Sequence, residues 1–215
     1  MEILAVLSIT SGCLSLLCLL ALHFVSPEFQ TSWRMISEYA LGKNKRLLTA
    51  FFFLWGACSI LSSLMLWNLV ATIWATLGVI LLFISGIGAI MGGLFDIKHP
   101  KHGLSFLIGV PTLPIATLLI GYHLLNLETW SSYRSALLLS SHAPWIALVF
   151  MGGAMALLFS GFKKAGYPMG PDVEPPEKLP EGVIPLAGYA NRLLVLCYLI
   201  WPILVASIAM TLEHA

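Results

Sequence analysis

Residues 72–93 read TIWATLGVILLFISGIGAIMGG, a run without one Asp, Glu, Lys or Arg. At 1.5 Å per residue a helix of this length covers about 33 Å, enough to cross the roughly 30 Å hydrocarbon core of a bilayer. Five further windows have the same character, at 3–25, 48–69, 104–125, 144–162 and 189–212. In lipid an open chain satisfies its backbone hydrogen bonds only as a helix. The expected fold is therefore all-α, a single membrane domain over 1–215 built as a bundle of about six transmembrane helices.

Composition agrees. The chain is 59% hydrophobic and 10% charged with a mean hydropathy of +0.91, against roughly 45–50% and 25% in a soluble domain. Net charge is +1 and the basic residues are scattered over loops, so no nucleic-acid footprint exists. Cys13, Cys18, Cys58 and Cys197 all lie in apolar runs and imply neither metal nor redox compartment. The first 25 residues lack a basic leader and a small-residue cleavage site, and read as an uncleaved span.

The connections differ in kind. Residues 68–71 are so few that spans two and three form an antiparallel hairpin, with Trp67 and Trp74 at headgroup level. The first loop, 26–47, carries Trp33, Ile36 and Ala40 at helical spacing and suits a short interfacial helix. The fifth, 163–188, holds half of the twelve prolines and four acidic residues; it is expected to be extended and solvated, with residues 169–183 the first to be nicked by protease. Loops one, three and five carry every Lys and Arg except Arg134, counting Arg192 at the start of the last span. The positive-inside rule places these loops in the cytoplasm and both termini outside, in the plasma membrane.

Within the spans, Gly88-x-x-x-Gly92, Ala89-x-x-x-Gly93 and Gly152-x-x-x-Ala156-x-x-x-Ser160 make small-residue faces. They serve either a homo- or hetero-oligomer seam or, the favoured reading, packing inside one chain. Pro111, Pro114 and Pro202 are expected to kink or unwind their helices. Acidic and basic residues are nearly absent from the spans, which argues against an ion or proton pump.

The densest polar cluster joins spans three and four, where Asp96, His99 and His102 are candidate metal ligands within seven residues. Two imidazoles, one carboxylate and an open position suit catalytic zinc. The alternatives are headgroup contact through Lys98 and Lys101, or an ordinary solvated turn, which is favoured. Ser37, Glu38, Asn191 and Arg192 reach the same side and complete a candidate polar site. Asp96 is expected to be held by a cationic partner, Arg192 first and His102 second, with Asp96→Asn costing roughly 1–3 kcal/mol. His123 and His142 sit near the outer ends of spans four and five but lack the second pair a haem would need. His23 and His214 read as interfacial and exposed. No phosphate loop, nucleophile elbow or His-Glu-x-x-His helix is present.

Several short motifs, in order, carry a resemblance: His23-Phe24-Val25-Ser26-Pro27, Ile36-Ser37-Glu38-Tyr39, Gly93-Leu94-Phe95-Asp96 with His102 following, Gly188-Tyr189-Ala190-Asn191-Arg192, and Trp201. In these the chain resembles the bacterial and archaeal membrane family catalogued as domain of unknown function 998. The resemblance spans essentially the whole chain and implies a six- or seven-helix bundle with no established reaction. The family's distant likeness to the Frag1, DRAM and Sfk1 group points towards lipid biology. It supports Asp96 and His102 more than a three-ligand site, and His99 is a departure from its pattern. Likeness to ceramidase-type zinc hydrolases fails for want of a His-x-x-x-His pair in the last span. Three roles follow as expectations: binding a lipid or small amphiphile at the cytoplasmic mouth, hydrolysing lipid headgroups, or serving as a scaffold or accessory subunit.

Overall fold

A computed structural model describes residues 1–168, 173 and 176–214. Among these residues seven α-helices follow in order: α1 (Glu2–Val25), α2 (Lys45–Leu66), α3 (Ile73–Leu94), α4 (His102–Gly109), α5 (Thr112–Leu124), α6 (Arg134–Lys164) and α7 (Ala187–Glu213). Short 3₁₀ turns lie at Ile36–Leu41, Trp67–Leu69 and Glu128–Tyr133, and no strand occurs among the described residues. Among the described residues six units are long and apolar enough to cross a membrane, α4 and α5 together making one of them.

The helices close a ring in the order α1, α2, α3, α5, α6, α7 and back to α1, with α7 also reaching across to α2. Because the spans are apolar all round, hydrophobicity alone does not choose the faces that meet; small residues and hydroxyls do so. Ser8 Oγ donates to the Cys58 carbonyl (3.0 Å) and meets Ser62 Oγ (2.7 Å), and Ser15 Oγ donates to the Phe51 carbonyl (2.9 Å). These bonds join α1 to α2. A methyl on Gly88 would stand 2.4 Å from the Gly109 backbone, so α3 and α4 cross in near backbone contact. The α3 small-residue face thus packs within the chain. The α6 face does not: Gly152, Ala156 and Ser160 are exposed, with nothing within 4 Å of a methyl placed on Gly152.

Prolines break the fourth span as expected. The chain leaves the helix at Val110–Pro111, and Pro114 lacks the N–H that would reach the Val110 carbonyl. The Tyr198 hydroxyl donates to that carbonyl instead (2.6 Å), fastening the break to α7. Helix α7 itself continues through Pro202.

Loops one, three and five share one end of the bundle. An ion pair joins Lys45 to Asp96, and Gly188 N–H donates to the Ser32 carbonyl (3.0 Å). The termini meet at the other end, where the Met1 amine lies 3.8 Å from Glu213.

Loop one differs from the expected interfacial helix. Its ends are pinned where Asn44 Nδ2 donates to the Val25 carbonyl and Ser26 Oγ, both at 2.8 Å. Its helical part is only the 3₁₀ turn, and Trp33, Ile36 and Tyr39 are buried in protein rather than laid on lipid. The reason lies in α7: a methyl on Gly188 would come within 2.4 Å of the Thr31 carbonyl oxygen and 2.6 Å of Trp33 N. Glycine there lets the loop backbone settle onto the helix. In loop five, residues 169–172 and 174–175, six of the fifteen in the expected protease-sensitive stretch, lie outside the described residues. Beyond them Val183 is buried and packs on Gly161, which ties that point of the loop to α6, while Glu177, Lys178, Glu181, Ile184 and Pro185 are exposed.

Candidate functional site

The polar residues gathered by sequence at the loop end do not form one site. They divide into three groups.

The first is a buried charge cluster. Glu38 accepts Met35 N–H at Oε1 (2.9 Å), and its Oε2 lies 2.8 Å from Arg34 Nη1. The Arg34 guanidinium also lies over Trp33 (4.8 Å) and Phe29 (5.5 Å). Arg192, only 8% exposed, donates through Nε to His23 Nε2 (2.8 Å), through Nη1 to the carbonyls of Arg34 (2.7 Å) and Gly188 (3.0 Å), and through Nη2 to the Tyr39 hydroxyl (3.2 Å). One guanidinium therefore ties α1, loop one and α7. Because His23 Nε2 accepts, that nitrogen carries no proton here. Burial pushes the Glu38 carboxyl above its ordinary value, partly opposed by Met35 N–H, Arg34 and Arg192.

The second group is on the outside of loop three, and corrects the expected partner of Asp96. Its carboxylate pairs with Lys45 and accepts Lys98 N–H (3.0 Å), while Arg192 belongs to the buried cluster. The acid sits on a turn beyond α3 that faces the start of α2, and Lys45 is the first residue of that helix. His99 stacks on Phe95 with ring centroids 4.6 Å apart, and its Nδ1 accepts Lys101 N–H (3.1 Å). His102 turns the other way and donates from Nδ1 to the Phe95 carbonyl (2.8 Å). Among the described residues no three His, Cys, Asp or Glu side chains gather as metal ligands, so Asp96, His99 and His102 do not converge on a zinc. The outer histidines also have separate partners: His123 meets the Leu69 carbonyl (3.1 Å), and His142 meets Tyr122 and Trp145.

The Lys45 ammonium, as hydrogen-bond partner, holds Asp96 below the ordinary aspartate value of 3.8. The folded carboxyl is the stronger acid, so its stabilisation is present above that value and fades as pH falls through the lower folded one. Lys45 is half exposed and Asp96 a quarter, and solvent discounts the pair to below about 1 kcal/mol. Asp96→Asn is accordingly expected to destabilise by less than about 1 kcal/mol at neutral pH and low salt, and not at all in acid or high salt. Thermal unfolding in detergent across pH checks this, and a loss of several degrees at high salt would contradict it.

The third group lines a cavity of about 100 Å³ beneath loop one, enclosed by α2, α3, α4, α6 and α7. At its loop end stand Ser37, Asn191 and His102, and its walls include Phe52, Phe106 and Val195. Asn191 holds the roof by accepting Ile36 N–H at Oδ1 (2.9 Å). The Phe95 bond leaves Nε2 as the remaining polar atom of His102. Gly88 and Gly92 keep the α3 wall flat, while Ser85 and Ser105 donate to the carbonyls of Gly109 (2.8 Å) and Lys101 (3.2 Å). Of the candidate residues, Ser37 and His102 line this cavity, whereas Glu38, Asp96, His99 and Arg192 do not.

Trp55 also lines the cavity and had no signal in the sequence that set it apart from other span tryptophans. It lies ten residues along α2 from Lys45, about 15 Å deep along the axis. Its ring stacks on Phe52 (5.9 Å, 15°) and meets Tyr198 edge-on (6.1 Å, 74°). The residue is 7% exposed, and its Nε1–H has no hydrogen-bond partner among the described residues. A buried donor left unmatched costs about 1–3 kcal/mol, so Trp55 is an expensive choice for a wall that Phe would fill.

No curated protein and no solved structure matches the chain. A family model described as protein of unknown function (DUF998) matches residues 9–208, from within α1 to within α7 and through every loop between them, and the chain belongs to that family.

Proposed function

We propose that this multi-pass membrane protein binds a small lipid or amphiphile in the cavity beneath loop one, at the cytoplasmic end of the bundle. The supporting observation is the cavity's polarity: hydroxyl, amide and imidazole groups at the loop end, aromatic and aliphatic walls below. That gradient suits a molecule with one polar end and one apolar end. The hydrolase reading needs Asp96, His99 or Glu38 beside His102 in a common pocket, and only His102 lines this one.

Val195→Phe fills the cavity from the α7 side. It is expected to reduce saturable binding of a radiolabelled dodecyl-chain probe in nanodiscs at least about tenfold, the effect of removing a well-matched apolar contact. Thermal unfolding is expected to shift little. Equal binding by wild type and variant, or no saturable binding by either, refutes the proposal. Orientation is tested separately on a cysteine-free background. Cysteines at Lys45, Lys101 and Lys178 are expected to resist an impermeant thiol reagent on intact cells, and one at His214 to react; the reverse pattern inverts the topology.

A further inference from the structure

We infer that the molecule held in this cavity is a neutral amphiphile whose polar end both donates and accepts hydrogen bonds, a hydroxyl-bearing chain recognised at the loop end by His102, Asn191 and Ser37. The inference rests on the ligand-binding reading above and adds the chemical class.

Three observations carry it. First, His102 presents an acceptor. A carbonyl cannot donate, so the bond to Phe95 (2.8 Å) fixes the proton of the neutral ring on Nδ1 and leaves Nε2 a bare lone pair. His102 lines the cavity and Phe95 does not; Nε2, which points away from that bond, has no partner among the described residues and is not buried. Second, Asn191 presents a donor. Its Oδ1 is taken by Ile36 N–H, and its Nδ2 is turned onto the sulfur of Met151 (3.7 Å), another lining residue. A thioether is a weak acceptor, so a ligand oxygen there makes the better bond. The Ser37 hydroxyl, half-buried and without a partner among the described residues, serves in either sense. Third, none of the lining residues is Asp, Glu, Lys or Arg, while Arg34 is paired with Glu38, and Arg192 with His23, Tyr39 and two carbonyls. A carboxylate cannot donate to His102, an ammonium cannot accept from Asn191, and either would bring an unpaired charge against apolar walls, which is disfavoured. A hydroxyl donates, accepts and carries no charge.

The test titrates five dodecyl probes, 1-dodecanol, its methyl ether, dodecane, dodecylammonium and dodecanoate, as mole fraction in the lipid of nanodiscs holding the ¹⁵N-histidine protein. The pH is mildly alkaline, where an ordinary imidazole is neutral. Of the six histidines, the one whose resonances are missing from His102→Phe is His102. On saturation the alcohol should move its Nε2 resonance upfield, as accepting a hydrogen bond does, whereas the ether and dodecane should leave it in place. The alcohol should bind about tenfold tighter than the ether, the worth of one buried hydrogen bond, and His102→Phe should bring it down to the ether's affinity. Equal affinity for alcohol and ether, or an unmoved His102 resonance, overturns the inference and leaves the binding reading standing. Tightest binding by dodecylammonium or dodecanoate overturns it too. Saturable binding of none of the five removes both. The wild-type ranking of the probes needs no variant, so it survives misfolding of His102→Phe.

Discussion

Arg192→Met is expected to cost about 3–5 kcal/mol of stability, the range for breaking a buried charged network from one side. Methionine occupies similar space without donors. It strips partners from His23 Nε2, the Tyr39 hydroxyl and the Arg34 carbonyl, all held in a region where Arg192 is 8% exposed. It also leaves the Arg34–Glu38 pair (2.8 Å) without its neighbouring guanidinium, which helps to keep Glu38 ionised. Arg192→Lys should recover little, because an ammonium on a flexible stem does not reproduce a planar fork that reaches α1, loop one and α7 together. Unfolding by SDS in mixed micelles measures the loss. A cysteine at Ser37, in the roof of the cavity, should become faster to label in Arg192→Met than in wild type. A stability change below 1 kcal/mol, with Ser37 labelling unaltered, would show that loop one is held by Gly188 and Asn191 without the guanidinium.

The sequence made the helices legible and left their faces obscure, for a physical reason. Twenty apolar residues in a row announce a span because lipid excludes an unsatisfied backbone, but a helix apolar on every side carries no amphipathic stripe to say what it packs against. Gly88 and Gly152 illustrate the limit: both belong to small-x-x-x-small runs, yet one lies against Gly109 and the other faces outward. The polar residues could be assigned to one end of the bundle from the order of the spans, but not sorted into the three groups that they form there. Arg192 and Glu38 lie at the loop end, while the sequence-based pairing of Asp96 with Arg192 overlooked Lys45, although the hairpin of spans two and three already brings the start of α2 beside the end of α3. Loop one was misread because Trp33 and Ile36 at helical spacing suit an interfacial helix as well as a plug, and the deciding contact is a glycine in α7. Trp55 was missed because a span tryptophan is ordinarily packing or a headgroup anchor; only the absence of an acceptor around its buried N–H distinguishes it.

The contrast between those two glycines gives the second large effect. Gly88→Val should destabilise by about 3 kcal/mol or more, at or beyond the upper end of the usual cost of overpacking. The obstruction is backbone: a methyl at residue 88 meets Gly109 Cα and N, both at 2.4 Å. Backbone in a helix does not rotate out of the way as a side-chain tip does. Relief requires α4 to move off α3, which breaks the bond from Ser85 of α3 to the Gly109 carbonyl, while the Val110 carbonyl at the end of α4 is held by Tyr198 of α7. Since Gly88, Gly109 and Val110 also line the cavity, any α4 displacement that relieves the clash reshapes the proposed binding site and lowers affinity for the dodecyl probe along with stability. Gly152→Val is the matched control: it adds the same side chain to a helix where nothing lies within 4 Å of the new methyl, so it should change stability by no more than about 0.5 kcal/mol. Both variants are read by thermal unfolding in the same detergent and by gel filtration. Should Gly152→Val be the more damaging, the exposed α6 face would be a contact between chains, and a smaller oligomer on gel filtration would accompany the loss.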